Sequence, residues 1–528
     1  MAASSMGAFS PPRNFRGELI NPWWVAVTVA LTTFMEVLDI SIANVALRHI
    51  AGDMSVSEDE AVWVLTSYMV SNAIVLPMSG WLSTLFGRRR FYLFCVAMFS
   101  VSSLLCGLAP NLTALIVFRT LQGIGGGGLQ PSSQAILTDS FPLSKRGMAF
   151  AVYGFTTVLA PAIGPTVGGW ITDTFSWRWI FLINVPVGFL SLYLSRRLLS
   201  DPPELVEQSA QFRRQGFKVD WKGFVLLSVG FGCLQVVLDR GQQDDWFSSP
   251  FIMLMSALST LALLILPFWE TRQHYPMVDF NLLKERNFLF SNILMFLVGF
   301  ILFGSTVLLP LWVQTLMGYS ATQAGMLLSP GALTVLLVLP FVGWAINKVD
   351  VRHMIAFGLL CNGVALYLFS HMNLQADYWS LATLRILQGI GLGFLFVPVN
   401  AAAYSWVPPN KSSNASAIIN LSRNLGGSFG ISLVQTWLTR GTQRHQSILT
   451  ANLTDFSTAT QAWLAGVIHQ LEGVGGHAAA VAHALLYATV QRQASLLSFM
   501  DDFRLLGTLA LAFIPVVYAL KRPVREKH

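Results

Sequence analysis

The chain has 528 residues, of which 54% are hydrophobic and only 11% charged, well below the roughly 25% charged that is typical of soluble domains. Water is therefore not its main solvent, and a soluble enzyme or soluble nucleic-acid-binding domain is excluded as a description of the whole. The formal charge of +7 does not point to nucleic acid, because the basic residues sort by membrane side and form no single patch.

Crossing a hydrocarbon core of about 30 Å takes an apolar helix of about 17 to 25 residues. Fourteen runs qualify, starting near Trp24, Ala61, Phe91, Leu112, Met148, Ile180, Gly223, Phe251, Phe288, Gln323, Met354, Tyr378, Ala415 and Leu505. The first follows a polar tail, 1–22, with no small-residue cleavage site, and it is too long for a signal-peptide core, so it is read as a span. The expected fold is all-α and membrane-embedded. Cys95, Cys106, Cys233 and Cys361 fall inside predicted spans without metal-ligand spacing, and neither disulfide nor metal chemistry is expected of them.

Charge sets the expected orientation. With the N-terminus inside, Arg13, Arg16, Arg88 to Arg90, Lys145, Arg146, Arg213, Arg214, Lys218, Lys348, Arg352 and Lys521 lie on the cytoplasmic side together with most of the 33 basic residues. By the positive-inside rule both termini are then cytoplasmic.

Two segments recur at nearly constant offset, the mark of an internal structural repeat. Leu76-Pro-Met-Ser-Gly-Trp-Leu82 returns as Leu339-Pro-Phe-Val-Gly-Trp-Ala345, and Arg119-Thr-Leu-Gln-Gly-Ile-Gly125 returns as Arg385-Ile-Leu-Gln-Gly-Ile-Gly391, at offsets of 263 and 266. The chain therefore divides into a six-helix bundle at 23–200, a basic linker at 201–222, an inserted helix pair at 223–270, and a second six-helix bundle at 288–521, followed by a tail at 522–528. An outer stretch at 439–502, Ala-rich with helical periodicity from Thr458 to Leu497, is expected to form a helical hairpin outside the membrane. Its His469, His477 and His483 have no standard metal spacing and no accompanying carboxylate or Cys, so no metal site is expected.

Four motifs carry chemistry. In the first span, Leu38-Asp39-Ile-Ser-Ile-Ala-Asn44-Val-Ala-Leu47 buries an acid, and an intramembrane carboxylate costs several kcal/mol, roughly, unless it faces the bundle interior and has a task. Glu36 lies one helical turn earlier, on the same face. Gly80-Trp-Leu-Ser-Thr-Leu-Phe-Gly87-Arg88-Arg89-Arg90 makes a tight cytoplasmic turn. Its second copy, Gly343 to His353, contains Lys348, Asp350 and Arg352. In the fourth span Arg119 lies in the outer half, at the depth expected of Asp39, so the two can offset each other's burial. In the fifth span Gly154 precedes Ala160-Pro161-Ala162-Ile163-Gly164-Pro165-Thr166-Val167-Gly168-Gly169, where GxxxG spacing permits close helix contact and the prolines permit bending.

These motifs resemble the EmrB/QacA-type drug:proton antiporters, the fourteen-helix branch of the major facilitator superfamily, and the resemblance covers nearly the whole chain. It implies the major facilitator fold: two six-helix halves plus two inserted helices. It further implies proton-driven export of hydrophobic compounds by alternating access, with Asp39, Arg119 and Glu36 in proton coupling. Gly154, Pro161, Gly164, Pro165, Gly168 and Gly169 match the antiporter motif of exporters, and Gly80, Gly87, Arg88, Arg89, Asp350 and Arg352 match the gating loops. Thr84 stands where the family usually has an acid that locks the cytoplasmic gate, so gating is expected to rest more on Asp350. Asn44, Gln122, Arg385 and Asn400 are candidates for the substrate cavity; Arg385 has no evident acid opposite.

No G-x-x-x-x-G-K-[ST] loop is present, so the expected energy source is the proton gradient, with no cofactor. An intramembrane enzyme would need a Gly-x-Ser-x-Gly, HExxH or His-rich motif, and none occurs. The expected location is a bacterial inner membrane and the expected partners are lipid and small hydrophobic substrates. The outer stretch is a candidate dock for a periplasmic adaptor and outer-membrane channel, as in Gram-negative members of the resembled family. The alternative reading on the same fold is an exporter of one physiological compound, such as a siderophore, fatty acid or metabolite.

Overall fold

A computed structural model describes residues 18–521 apart from 203–204, 208, 211–219, 274–275, 347, 406, 409–410, 452, 455–456 and 472–477. Arg13, Arg16, Arg213, Arg214, Lys218, His477 and the tail 522–528 lie outside the described residues, as does most of the linker.

Among the described residues fourteen long helices form the body. They are α1 Pro22–Val45, α2 Trp63–Phe86, α3 Arg88–Gly107, α4 Leu112–Ser140, α5 Leu143–Thr174, α6 Asn184–Leu198, α7 Trp221–Arg240, α8 Pro250–Glu270, α9 Arg286–Leu316, α10 Ala321–Ala345, α11 Val351–Phe369, α12 Tyr378–Tyr404, α13 Ser412–Ala451 and α14 Ala478–Ala512. Their starts are marked by side chains that accept the first free backbone N–H groups: Asn21, Asn111, Asp220, Glu285, Asp350 and Asp377, with a Ser320/Gln323 capping box on α10. Prolines inside α2, α4, α5, α10 and α12 are tolerated where neighbouring helices satisfy the freed backbone groups.

Among the described residues eleven helices are long and apolar enough to cross a membrane, and the bent α5 makes twelve; its parts Lys145–Pro161 and Ile163–Thr174 meet at 45°. A proline in the helix interior removes a backbone hydrogen bond and permits that bend. The remaining pair, α13 and α14, is less apolar and enters the bundle by packing on α9, α11 and each other.

The two halves repeat one pairing scheme. In the first, α1 packs on α5 and α6, α2 on α4, and α3 on α4 and α6; in the second, α9 packs on α13 and α14, α10 on α12, and α11 on α12 and α14. The halves meet through α5 on α10 and α2 on α13, with α4 touching α13 and α12 touching α5. The inserted α7 lies against α2 and reaches α13, while α8 packs chiefly on α7 and turns Leu254, Leu261, Leu264 and Phe268 outward.

The described part of the stretch 439–502 is largely helical. Helix α13 continues unbroken to Ala451 and α14 starts at Ala478, far ahead of the run near Leu505, with one short helix, Thr458–Gln470, between them. Backbone hydrogen bonding need not stop where an apolar run ends, so a helix can continue past it.

Candidate functional site

Asp39 on α1 and Arg119 on α4 meet in the interior of the first half. Arg119 Nη1 donates to Asp39 Oδ2 at 2.6 Å, with both side chains 1% exposed. Gln122 Nε2 and Asn184 Nδ2 donate to Asp39 Oδ1 at 3.0 and 2.6 Å. Arg119 also donates to Gln122 Oε1 at 2.9 Å and to the Val64 carbonyl at 3.2 Å, and its guanidinium lies 4.5 Å from the Tyr68 ring centre and 5.3 Å from that of Phe181. Every oxygen of the carboxylate is thus engaged, which is what makes a buried ion pair tolerable. Asn184 does not stand out in the sequence; the signal available was a lone amide inside an apolar span.

Glu36, one turn away, follows a different route. Gln130 Nε2 donates to its Oε1 at 3.1 Å, while Oε2 is buried without a hydrogen-bond partner among the described residues. Arg423 on α13 donates to Gln130 Oε1, so Glu36 of one half is tied through an amide to an arginine of the other. One turn further along α4 Gln134 accepts from Asn420 at 2.9 Å and from Tyr404 at 3.2 Å, and Ser416 donates to the Pro131 carbonyl at 2.6 Å. Neither Gln130 nor Gln134 is conspicuous in the sequence, since an amide carries no charge to betray it.

The helix ends around Gly87 and Arg88 close on the same seam. Gly87 takes φ +85, a conformation open to glycine at no steric cost, and starts α3 so that Arg88 turns inward. Arg88 pairs with Asp139 at the end of α4 and donates to Ser413 at 2.9 Å and Ser412 at 3.1 Å on α13. Arg89 instead stays in its own half, with its N–H on Asp201 at 2.7 Å. A Cβ on Gly80 would run into the Asn414 backbone, 2.7 Å from its Cα. Asp139 supplies an acid beside Arg88 where Thr84 does not; the Thr84 hydroxyl bonds back to the Gly80 carbonyl.

Asp350 caps α11 and holds Arg352 two residues on, at 2.8 Å, a bond that keeps its carboxyl below the ordinary carboxylate value. That pair lies within one loop, whereas Arg88 spans both halves.

The antiporter-type motif in α5 divides between two sets of contacts. A Cβ on Gly164 would strike Ser41, and one on Gly168 would lie 3.0 Å from Ile42, so the GxxxG pair seats α1 of the same half rather than the opposite half. Gly169 faces Val45 loosely and Pro161 accepts from Ser41 through its carbonyl. It is Gly154 that meets the second half, at Phe396, while Gly147 meets Ile346 and Thr166 meets Gly325. Pro165 is half-buried.

Between the halves lies a small cavity walled by Val158 and Pro161 of α5, Leu302 and Thr306 of α9, Val335 of α10, and Arg385 and Leu392 of α12. Of the four candidate cavity residues Arg385 alone lines it. Asn44 is exposed at the outer end of α1 and bonds the Ile40 carbonyl, Gln122 serves Asp39, and Asn400 is buried on the Phe396 carbonyl at 2.8 Å. Polarity in a span told that these residues needed partners, and helix rotation decided which.

Comparison with known proteins agrees with this geometry. The family model described as Major Facilitator Superfamily matches residues 29–328 and 291–444. The chain is 38% identical over 436 residues to a probable multidrug resistance protein, EmrY, of Escherichia coli (82% of this chain, 84% of the relative). It is 35% identical to the multidrug export protein EmrB of Haemophilus influenzae, over 96% of each. It is 32% identical to the fatty acid resistance protein FarB of Neisseria gonorrhoeae, over 95% and 96%. The crystal structure of the human organic anion transporter MFSD10 shares the fold, with a TM-score of 0.57 at 14% identity over 93% of this chain and all of that one. The duplicated bundles, the inserted pair and these matches together establish that the chain is a multi-pass membrane transporter, not an enzyme, and that it belongs to the major facilitator superfamily alongside the EmrB-like proteins.

Proposed function

We propose that the protein is a proton-coupled antiporter that exports hydrophobic or amphipathic compounds by alternating access between its two halves. The observation that carries this reading is the Asp39–Arg119 pair, buried at 2.6 Å. A membrane-embedded acid with one cationic partner and two amide donors can trade its proton against that partner as the helices around it shift, whereas a pair built for stability alone gains nothing over apolar packing. Multidrug export by relatives that align over most of the chain supports the substrate class.

In this scheme Asp39 takes the proton, Arg119 holds the carboxylate when ionised, and Gln122 and Asn184 keep its orientation. Glu36, linked through Gln130 to Arg423, is placed to report that state across the seam. Gly164 and Gly168 let α1 ride on α5, and Arg88 with Asp139 closes the cytoplasmic end. The membrane is a bacterial inner membrane, both termini are cytoplasmic, and the extended outer ends of α13 and α14 offer a surface for an adaptor leading to an outer-membrane channel.

The test is transport in vesicles of the purified protein with an imposed pH gradient, for a panel of cationic, neutral and anionic dyes. Gradient-dependent movement that collapses with a protonophore is the expected result. Movement unaffected by the gradient would overturn proton coupling.

A further inference from the structure

The second half repeats the arginine and glutamine of the first-half site without its acid. At the 266-residue offset that relates Arg119 to Arg385, Gln122 corresponds to Gln388 and Asp39 to Ser305. The geometry repeats: Arg385 Nη1 donates to Gln388 Oε1 at 2.5 Å, and Gln388 Nε2 donates to Ser305 Oγ at 2.9 Å, as Gln122 donates to Asp39. The carboxylate is missing. Among the described residues no Asp or Glu comes within ion-pair distance of Arg385, although its side chain is 6% exposed. Arg385 is among the residues that line the cavity between the halves.

A buried guanidinium with five donors and one bond made is costly unless something negative completes it. Gly331 shows that room is kept for this side chain, since a Cβ there would lie 2.8 Å from Arg385 Cγ. Val158, Leu302, Val335 and Leu392 make most of the remaining wall apolar, and the Thr306 hydroxyl is spent on the Leu302 carbonyl at 2.6 Å.

We propose that Arg385 is the anion-binding centre of the central cavity, so that the preferred substrate is an amphipathic monovalent anion with a carboxylate or sulfonate head and an apolar body. The head takes the place that Asp39 fills in the first half, and the body lies against the apolar wall. A cation meets like charge there, and a neutral isostere leaves the arginine uncompensated, so discrimination comes from the penalty as much as from the contact. This rests on the export reading of the same cavity and adds the charge of its cargo.

The experiment measures equilibrium binding of radiolabelled 4-hexylbenzoate and 4-hexylbenzamide to the full chain in lipid nanodiscs at pH 7, without a gradient. The wild type is expected to bind the benzoate about tenfold or more tightly than the amide, the scale of one charge-assisted contact. Arg385→Gln is expected to bring the benzoate down to the amide's affinity while the amide changes less than about twofold. Ser305→Asp keeps the arginine and restores the first-half pattern, and is expected to lose the benzoate preference as well, which preserves the test if Arg385→Gln fails to fold. Equal binding of both probes to the wild type, equal weakening of both by Arg385→Gln, or full benzoate binding by Ser305→Asp would overturn the proposal. A benzoate preference that survives while pH-gradient-driven transport is absent would instead overturn the export reading and leave the anion site standing.

Discussion

Replacing Asp39 by Asn keeps shape and removes charge, and the consequence can be worked out atom by atom. Asp39 Oδ1 accepts from Asn184 at 2.6 Å and Gln122 at 3.0 Å, and Oδ2 accepts from Arg119 at 2.6 Å. An asparagine serves one of these sides with its oxygen and turns its amide N–H₂ toward the other, where it meets a donor. If the oxygen stays with Asn184 and Gln122, Arg119 retains Gln122 Oε1, the Val64 carbonyl and two aromatic faces but no counter-charge. Removing one partner of a buried pair costs about 3 to 5 kcal/mol, and the surviving contacts of Arg119 place this site near the lower end. The fold should therefore persist at reduced stability while gradient-driven export falls to the level of protein-free vesicles. Arg119→Gln should show similar losses, and the double variant should recover about 1 kcal/mol or more relative to the sum in mixed-micelle unfolding, because two neutral amides can bond each other. Single effects that add within about 0.5 kcal/mol would refute the coupling of the two side chains. Unaltered gradient-driven transport by Asp39→Asn would refute the proton role and transfer it to Glu36.

Gly164→Leu should stop transport in the same vesicle assay while the protein still inserts, because the side chain must displace Ser41 and part α1 from α5, an overpacking that costs about 1 to 3 kcal/mol; wild-type rates would make the glycine incidental. Arg88→Ala removes the contacts to Asp139, Ser412 and Ser413, so a cysteine at Ser416 should react faster with a membrane-impermeant maleimide applied from the cytoplasmic side, and an unchanged rate would refute the latch. The Arg352 bond lowers the Asp350 carboxyl from its ordinary value, so its stabilisation is complete above about pH 4 and is lost only as pH falls through the lowered value. Asp350→Asn should accordingly cost less than about 1 kcal/mol and leave the shape of the transport pH profile between about pH 5.5 and 8 intact; a displaced optimum would refute this. With the four native cysteines replaced, single cysteines at Thr450 and at Ser200 should label from opposite faces of the membrane, and labelling of both from outside would break the topology.

The sequence alone determined the solvent, the class and the plan. Apolar runs of bilayer length are a one-dimensional signal, and the recurrence of Arg119-Thr-Leu-Gln-Gly and Arg385-Ile-Leu-Gln-Gly is visible without any coordinates. The cost of burying Asp39 marked it as needing a partner, and depth along α1 and α4 was enough to nominate Arg119. Helix rotation is not readable in this way when a span is buried on all sides, because then no polar face shows which residues look inward. Only the tertiary structure decided that Asn184 completes the Asp39 cluster, that Gly164 serves α1 while Gly154 meets the other half, and that Asn44 and Asn400 stand away from the cavity. How far α13 and α14 run past their apolar segments was not readable for a related reason: hydropathy reports apolar surface, and a helix need not end where it does. The absent acid beside Arg385 was hinted at in the sequence, yet its meaning depends on Ser305 and Gln388 converging on one point. Such a gap in a repeated pattern exists only in three dimensions, where side chains from separate helices meet.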